Sequence, residues 1–309
     1  MMSLTCRLLA GVCVIALAIA GLAQQVADPD FDTTVAKPAY TKKHPRILLD
    51  EAHNNFHTAS GRYKPFVDLI TNDGYQVNPN KQKFGKESLK GFEVLVISNA
   101  LGAPAMGSPD ASTSAFTEEE CDAVRDWVRR GGRLLLIADH APMGAANEKM
   151  GLRFGVDMSK GYTGDPENKD AETGSDTFVR YDRDNKLLGD HAITRGRNAT
   201  EKVSRIIAFT GQSLKGPAGS VAFMKLADTA FDFTPARQGA EEKQVSAAGR
   251  AQGIAFKVGK GRVVVLGEAG MLSAQLAGPG KMKFGMNRTG IDNRQLALNI
   301  MHWLSGLLK

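Results

Sequence analysis

Residues 92–99 (FEVLVISN) and 133–138 (RLLLIA) each hold a continuous apolar run too short for a globular helix, and one amphipathic helical segment separates them. Strands covered on both faces read as unbroken apolar runs, and they occur almost only in parallel sheets flanked by helices. The helix between them is announced by residues 117–120 (TEEE). This is a capping box, in which the Thr117 hydroxyl accepts the Glu120 N–H while the Glu120 carboxylate reaches back. Cys121, Val124 and Val128 give the helix its apolar face, and Gly131-Gly132 ends it.

Other segments repeat this alternation. Residues 46–50 (RILLD) suit a first buried strand ending in a carboxylate. Phe66, Leu69 and Ile70 mark a helical face that Gly74 stops, and residues 75–77 suit a second strand. Residues 205–209 and 221–224 are strand-like, and residues 252–266 read as a hairpin turning at 259–261. Leu296, Ile300, Trp303 and Leu304 give the last helix its buried stripe. Strands alternating with helices predict a single α/β domain over residues 44–309, with a doubly wound, mostly parallel sheet.

At the N-terminus, Arg7 precedes an apolar run over residues 8–20, followed by Gly21-Leu22-Ala23. That layout predicts a signal peptide over residues 1–23, cut after Ala23, and hence a periplasmic or secreted protein. A membrane-spanning helix needs about 20 apolar residues, more than this run offers. Residues 24–43 lack apolar periodicity and read as a flexible leader, and residues 159–190, polar and rich in Gly and Asp, as a surface insertion. Loss of Cys6 and Cys13 would leave Cys121 alone, so no intramolecular disulfide is expected. The formal charge of +6 is dispersed among nearly as many acids, which argues against a nucleic-acid partner.

Residues 47–57 (ILLDEAHNNFH), 136–140 (LIADH), 259–263 (GKGRV) and 293–295 (NRQ), running on to Trp303-Leu304, together resemble a group of uncharacterised exported bacterial proteins. That group is similar to the domain-of-unknown-function 4350 family and to the gliding-motility and intraflagellar-transport branch of the class I glutamine amidotransferase-like superfamily. The resemblance spans nearly all of the chain from His44 and implies a flavodoxin-like sheet. True class I amidotransferases carry a nucleophilic Cys in a Gly-rich turn after a strand, paired with a distant His. Here the comparable strand end offers residues 138–141 (ADHA), and Cys121 falls on a helix, where it reads as a buried structural thiol. Glutaminase chemistry is therefore not expected.

In open α/β sheets, ligands bind beyond the carboxyl ends of the strands. That edge should gather Asp50, His53, Asn55, His57, Asn99, Asp139, His140 and Glu268. His53 and His57 are four apart and would share a face if this segment were helical. With His140 and neighbouring carboxylates they make a set suited to a divalent metal such as zinc. Against this stands the plainer reading that Asp and His at strand ends cap helices or hold loop backbone. Asp139 and Glu268 are candidate catalytic groups or helix caps. Asn287 and Arg288 would place an amide and a guanidinium over the same edge, or form a surface turn, and His191 reads as structural.

Three functions follow as alternatives. One is binding of a small molecule, such as a sugar or cell-envelope fragment, with Asp50, Asn55, Asn99 and Asn287 as ligand contacts. Another is metal-assisted hydrolysis, with His53, His57 and His140 holding the ion and Asp139 or Glu268 activating water. The third is a non-catalytic subunit docking another envelope protein.

Overall fold

The computed structural model describes residues 25–235 and 242–309. Its central sheet has nine strands: β1 (Arg46–Asp50), β2 (Gln76–Asn80), β3 (Val94–Ser98), β4 (Arg133–Ile137), β5 (Asp157–Met158), β6 (Leu214–Lys215), β7 (Val221–Lys225), β8 (Ala251–Val258) and β9 (Gly261–Leu266). The spatial order is β2-β1-β3-β4-β9-β8-β6-β5, with β7 also pairing β8. From β2 to β9 all neighbours are parallel. The β8–β9 hairpin then turns the rest antiparallel.

Successive residues of the parallel strands feed two separate cores, as a period of two requires. Ile47, Leu49, Val94, Val96, Leu135, Ile137, Val264 and Leu266 face helices α1 (Lys64–Asn72) and α5 (Asn293–Ser305), where Phe66, Leu69, Leu296 and Ile300 meet them. Leu48, Leu95, Ile97, Leu134, Leu136, Val263 and Val265 face helix α2 (Glu118–Arg129) through Cys121, Val124 and Val128. Each such side chain contributes about 1.5–3 kcal/mol when buried. The capping box of α2 forms as the sequence predicts. Helix α3 (Met143–Leu152) follows β4, and a one-turn helix α4 (Ala192–Arg195) is capped by His191, whose Nδ1 accepts the Ile193 N–H.

Four expectations need correction. Residues 24–43 do not form a loose leader over their described part. Val26–Ala27 pairs with Ala274–Ala277, Phe31, Val35 and Tyr40 pack on the core, and Ala39 N–H donates to Asp73. Gly74 (φ +100°) makes room for this, since a Cβ there would lie 1.9 Å from the Tyr40 carbonyl oxygen. Isolated anchors of this kind leave no periodicity to read.

Residues 159–190 are a surface insertion only in part: residues 166–177 are largely exposed, but the segment that follows joins the body of the domain. Phe178–Asp182 pairs with Arg205–Phe209, and Val179 and Tyr181 are fully buried. Residues 51–60 form turns rather than a helix, so His53 and His57 share no helical face. Local side-chain bonds compete with helix formation there: Asp50 accepts the Ala52 N–H and Asn55 accepts the His53 N–H. The second strand begins one residue later than expected and runs on to Asn80.

The expected signal peptide, residues 1–23, lies outside the described residues. Among the described residues no helix is long and apolar enough to cross a membrane.

Candidate functional site

Strand order reverses between β1 and β3, because the chain leaves β1 for β2 on one side and reaches β3 on the other. Such a switch point opens a crevice beyond the strand ends. Asn55 spans it, with Nδ2 donating to the Asp50 carboxylate at 3.0 Å and to the Ser98 carbonyl at 3.3 Å. Asn99, just past β3, has φ +50°, a left-handed conformation that Asn tolerates better than most residues. Its Oδ1 accepts the Asp139 N–H, and its side chain also helps hold the Asp139 carboxyl down, although the buried Nδ2 makes no hydrogen bond of ordinary length. A buried donor left short of a full hydrogen bond costs up to about 1–3 kcal/mol.

His53 is held between two acids. Nδ1 lies 2.9 Å from both Asp50 oxygens, Nε2 lies 2.8 Å from Glu120, and the ring packs on Phe84 and Phe116. Burial alone would lower its pKa, but Asp50 and Glu120 outweigh burial and raise it. Each ring nitrogen faces a carboxylate oxygen, so neither is turned toward open space. Asp50 also accepts from Asn55 and Asn80, and Glu120 from the N–H groups of Phe84 and Thr117.

Beside this cluster His57 Nδ1 lies 3.1 Å from the Ser98 hydroxyl, and its ring stacks on Tyr63 at 4.4 Å. Burial, with Arg62 nearby, lowers His57 to about 3, so the imidazole is neutral. Tyr63 donates to the Ala269 carbonyl at 2.9 Å, and its phenol is raised by burial first and then by Glu268 and Asp139.

Asp139 and Glu268 stand at the ends of the adjacent parallel strands β4 and β9. Asp139 accepts the His140 N–H at 2.8 Å, and Glu268 accepts the N–H groups of Gly270 and Met271. Burial raises both carboxyls, and the charge on Asp139 raises Glu268 further. His140 Nδ1 bonds the Ala141 carbonyl, and its ring stacks on Tyr162 at 4.5 Å.

The edge thus gathers Asp50, His53, Asn55, His57, Asn99, Asp139 and Glu268, with His140 beside Asp139. Asn287 falls elsewhere, donating to Asp28 and to the Gln275 carbonyl. Arg288 is consumed by Asp170 and Glu172. The expected zinc ligands do not fit an ion: His53 has no free nitrogen, and among the described residues no group of three or more His, Cys, Asp and Glu is arranged to hold one. Cys121 is buried in a helix face, and burial pushes its thiol up to about 12, which removes it as a nucleophile.

Ser98 and Arg62 are site residues that the sequence pattern does not mark, and it marks Glu120 only as a cap. Ser98 ends an apolar strand run and Glu120 satisfies a capping motif, so neither carries a separate signal.

No family model and no curated protein matches the chain. Among solved structures, the mmIFT52 N-terminal domain matches with a TM-score of 0.58 at 14% identity, covering 84% of this chain and 97% of that one. The two share a fold. A GMP synthase-like protein from Thermoplasma acidophilum (TM-score 0.42, 13% identity, 86% and 97% covered) and a ThuA-like protein from Bacteroides uniformis (0.39, 13%, 90% and 95%) match more loosely.

Proposed function

We propose that this chain is an exported, non-glutaminase member of the class I glutamine amidotransferase-like superfamily, with a flavodoxin-like doubly wound sheet and kinship to the domain-of-unknown-function 4350 group. Its role is to bind a small ligand, such as a sugar or cell-envelope fragment, in the crevice between β1 and β3. The parallel strands run in the order expected of a flavodoxin-like fold, and helices cover both faces. The observation that carries the reading is Asn99: a left-handed backbone and a buried amide short of a full hydrogen bond coincide at the switch point. Strain and unmet hydrogen bonding persist where binding uses them.

Backbone amide shift mapping with N-acetylglucosamine and a muropeptide tests this. Saturable shifts confined to residues 50–57 and 98–101 support the reading. Shifts centred instead on the cleft of about 590 Å³ lined by Asp182, Arg205 and Asp292 would sink it. Metal-assisted hydrolysis through His53, His57 and His140 draws no support from the donor geometry. Elemental mass spectrometry of protein purified without chelator should find no stoichiometric zinc.

A further inference from the structure

The guanidinium of Arg62 has no acid partner among the described residues. It lies over the Phe56 ring at 4.1 Å, and its Nε is buried without a hydrogen bond. Arg288, Arg197 and Arg250, also partly buried, are matched by Asp170, Glu201 and Asp157, whereas Arg62 shares with Arg183 a buried Nε that lacks a hydrogen bond. A cation drawn out of water without a counter-ion is unfavourable, and pairing with an anion relieves the cost. Burial holds the Arg62 pKa below its ordinary value, and no carboxylate opposes that shift.

The surroundings point the same way. His57, the titratable neighbour that feels Arg62, is neutral, so the guanidinium is the positive group at this spot. Phe56, which carries Arg62 on its face, donates its N–H to the Asn99 carbonyl at 2.9 Å. The unmatched guanidinium therefore lies over a ring whose backbone is tied to the switch-point residue Asn99. That ring belongs to a small apolar patch with Leu101, Ala111, Met106 and Met143, separate from both cores and built from the loops after β1, β3 and β4.

We propose that Arg62 forms an oxyanion-binding subsite at the carboxyl edge, and that the ligand presents a carboxylate or phosphate to it. A guanidinium fork matches either group through two parallel charge-assisted bonds. This rests on the ligand-binding reading above and narrows it to acidic ligands.

The test follows the Arg62 Nε–Hε signal and the amide signals of residues 98–101 by NMR during separate titrations with sodium acetate, inorganic phosphate and neutral N-acetylglucosamine, at constant ionic strength. The expected result is a saturable shift of Arg62 with one or both anions, with Kd in the millimolar range and about tenfold weaker binding in Arg62→Gln. Arg62→Lys, which keeps the charge but loses the fork, should fall between. The tighter of the two anions identifies the ligand's acidic group. An unchanged thermal midpoint shows that the variants remain folded. Shifts from anions that persist unchanged in Arg62→Gln overturn the proposal. Shifts at residues 98–101 from N-acetylglucosamine with Arg62 silent to both anions also overturn it, yet leave the wider ligand-binding reading standing. Silence toward all three probes removes the subsite and counts against that reading as well.

Discussion

His53 Nε2 meets Glu120 at 2.8 Å across 67 residues of sequence, while its Nδ1 meets Asp50 three residues away. One imidazolium thus ties the turn after β1 to the first turn of α2. Removing the central partner of a buried ionic group costs about 3–5 kcal/mol, so His53→Gln should lower unfolding stability by about 3 kcal/mol. The pH dependence has a defined sign. His53 is raised above 6.5, so its contribution is complete below about pH 6.5 and lost as pH rises through the folded-state value. Glu120 is lowered below 4.5 despite burial, through Thr117 and His53, so its share is present above about pH 4.5 and lost on acidification. Urea midpoints should show the largest wild-type advantage over His53→Gln between these limits. An equal gap at pH 5.5 and pH 9 would refute the ionic role.

The Asp139–Glu268 pair should also cost stability as the medium turns alkaline. Both pKa values are raised on folding, so the stability they lend belongs to acid conditions and declines as pH rises through the folded values. Asp139→Asn removes the facing charge and should flatten the slope of stability between pH 5 and pH 8. A slope identical to wild type would show that the two carboxyls do not interact.

Asn287 anchors the N-terminal segment rather than a ligand. Asn287→Ala withdraws its bonds to Asp28 and Gln275 and should lower stability by about 1–2 kcal/mol. Trypsin should then cut faster after Lys42, while shifts induced by acetate or phosphate at residues 98–101 stay as in wild type. Weakened ligand response with unchanged proteolysis would return Asn287 to the site.

Cys121, with its thiol pushed up to about 12 inside a helix face, should resist iodoacetamide at pH 8 in the native protein and react promptly in urea. Rapid native labelling would mean that α2 opens far more readily than its packing implies.

The sheet was legible because its strands announce themselves: residues 94–97 and 134–137 are apolar throughout, and Thr117 with Glu120 marks the intervening helix. The edge residues were legible as a set because strand ends follow from strand limits. Their roles were not. Spacing places His53 and His57 four apart, but it cannot reveal that Asn55 and Asp50 capture the local N–H groups and turn the helix into a loop. Nor does sequence distinguish Arg288, matched by acids more than a hundred residues away, from the unmatched Arg62. Those distinctions depend on long-range pairing.

Helix α5 shares its layer with α1, and His302 Nε2 bonds Asp73, just past α1, at 2.7 Å. The same sheet face is therefore roofed by two helices more than two hundred residues apart in sequence. During synthesis Ile47, Val94 and Leu135 wait without their full cover until residues 293–305 have emerged. Partially made chains are accordingly sticky, and loss of only the final turns of α5 should produce aggregation rather than a slightly weakened protein.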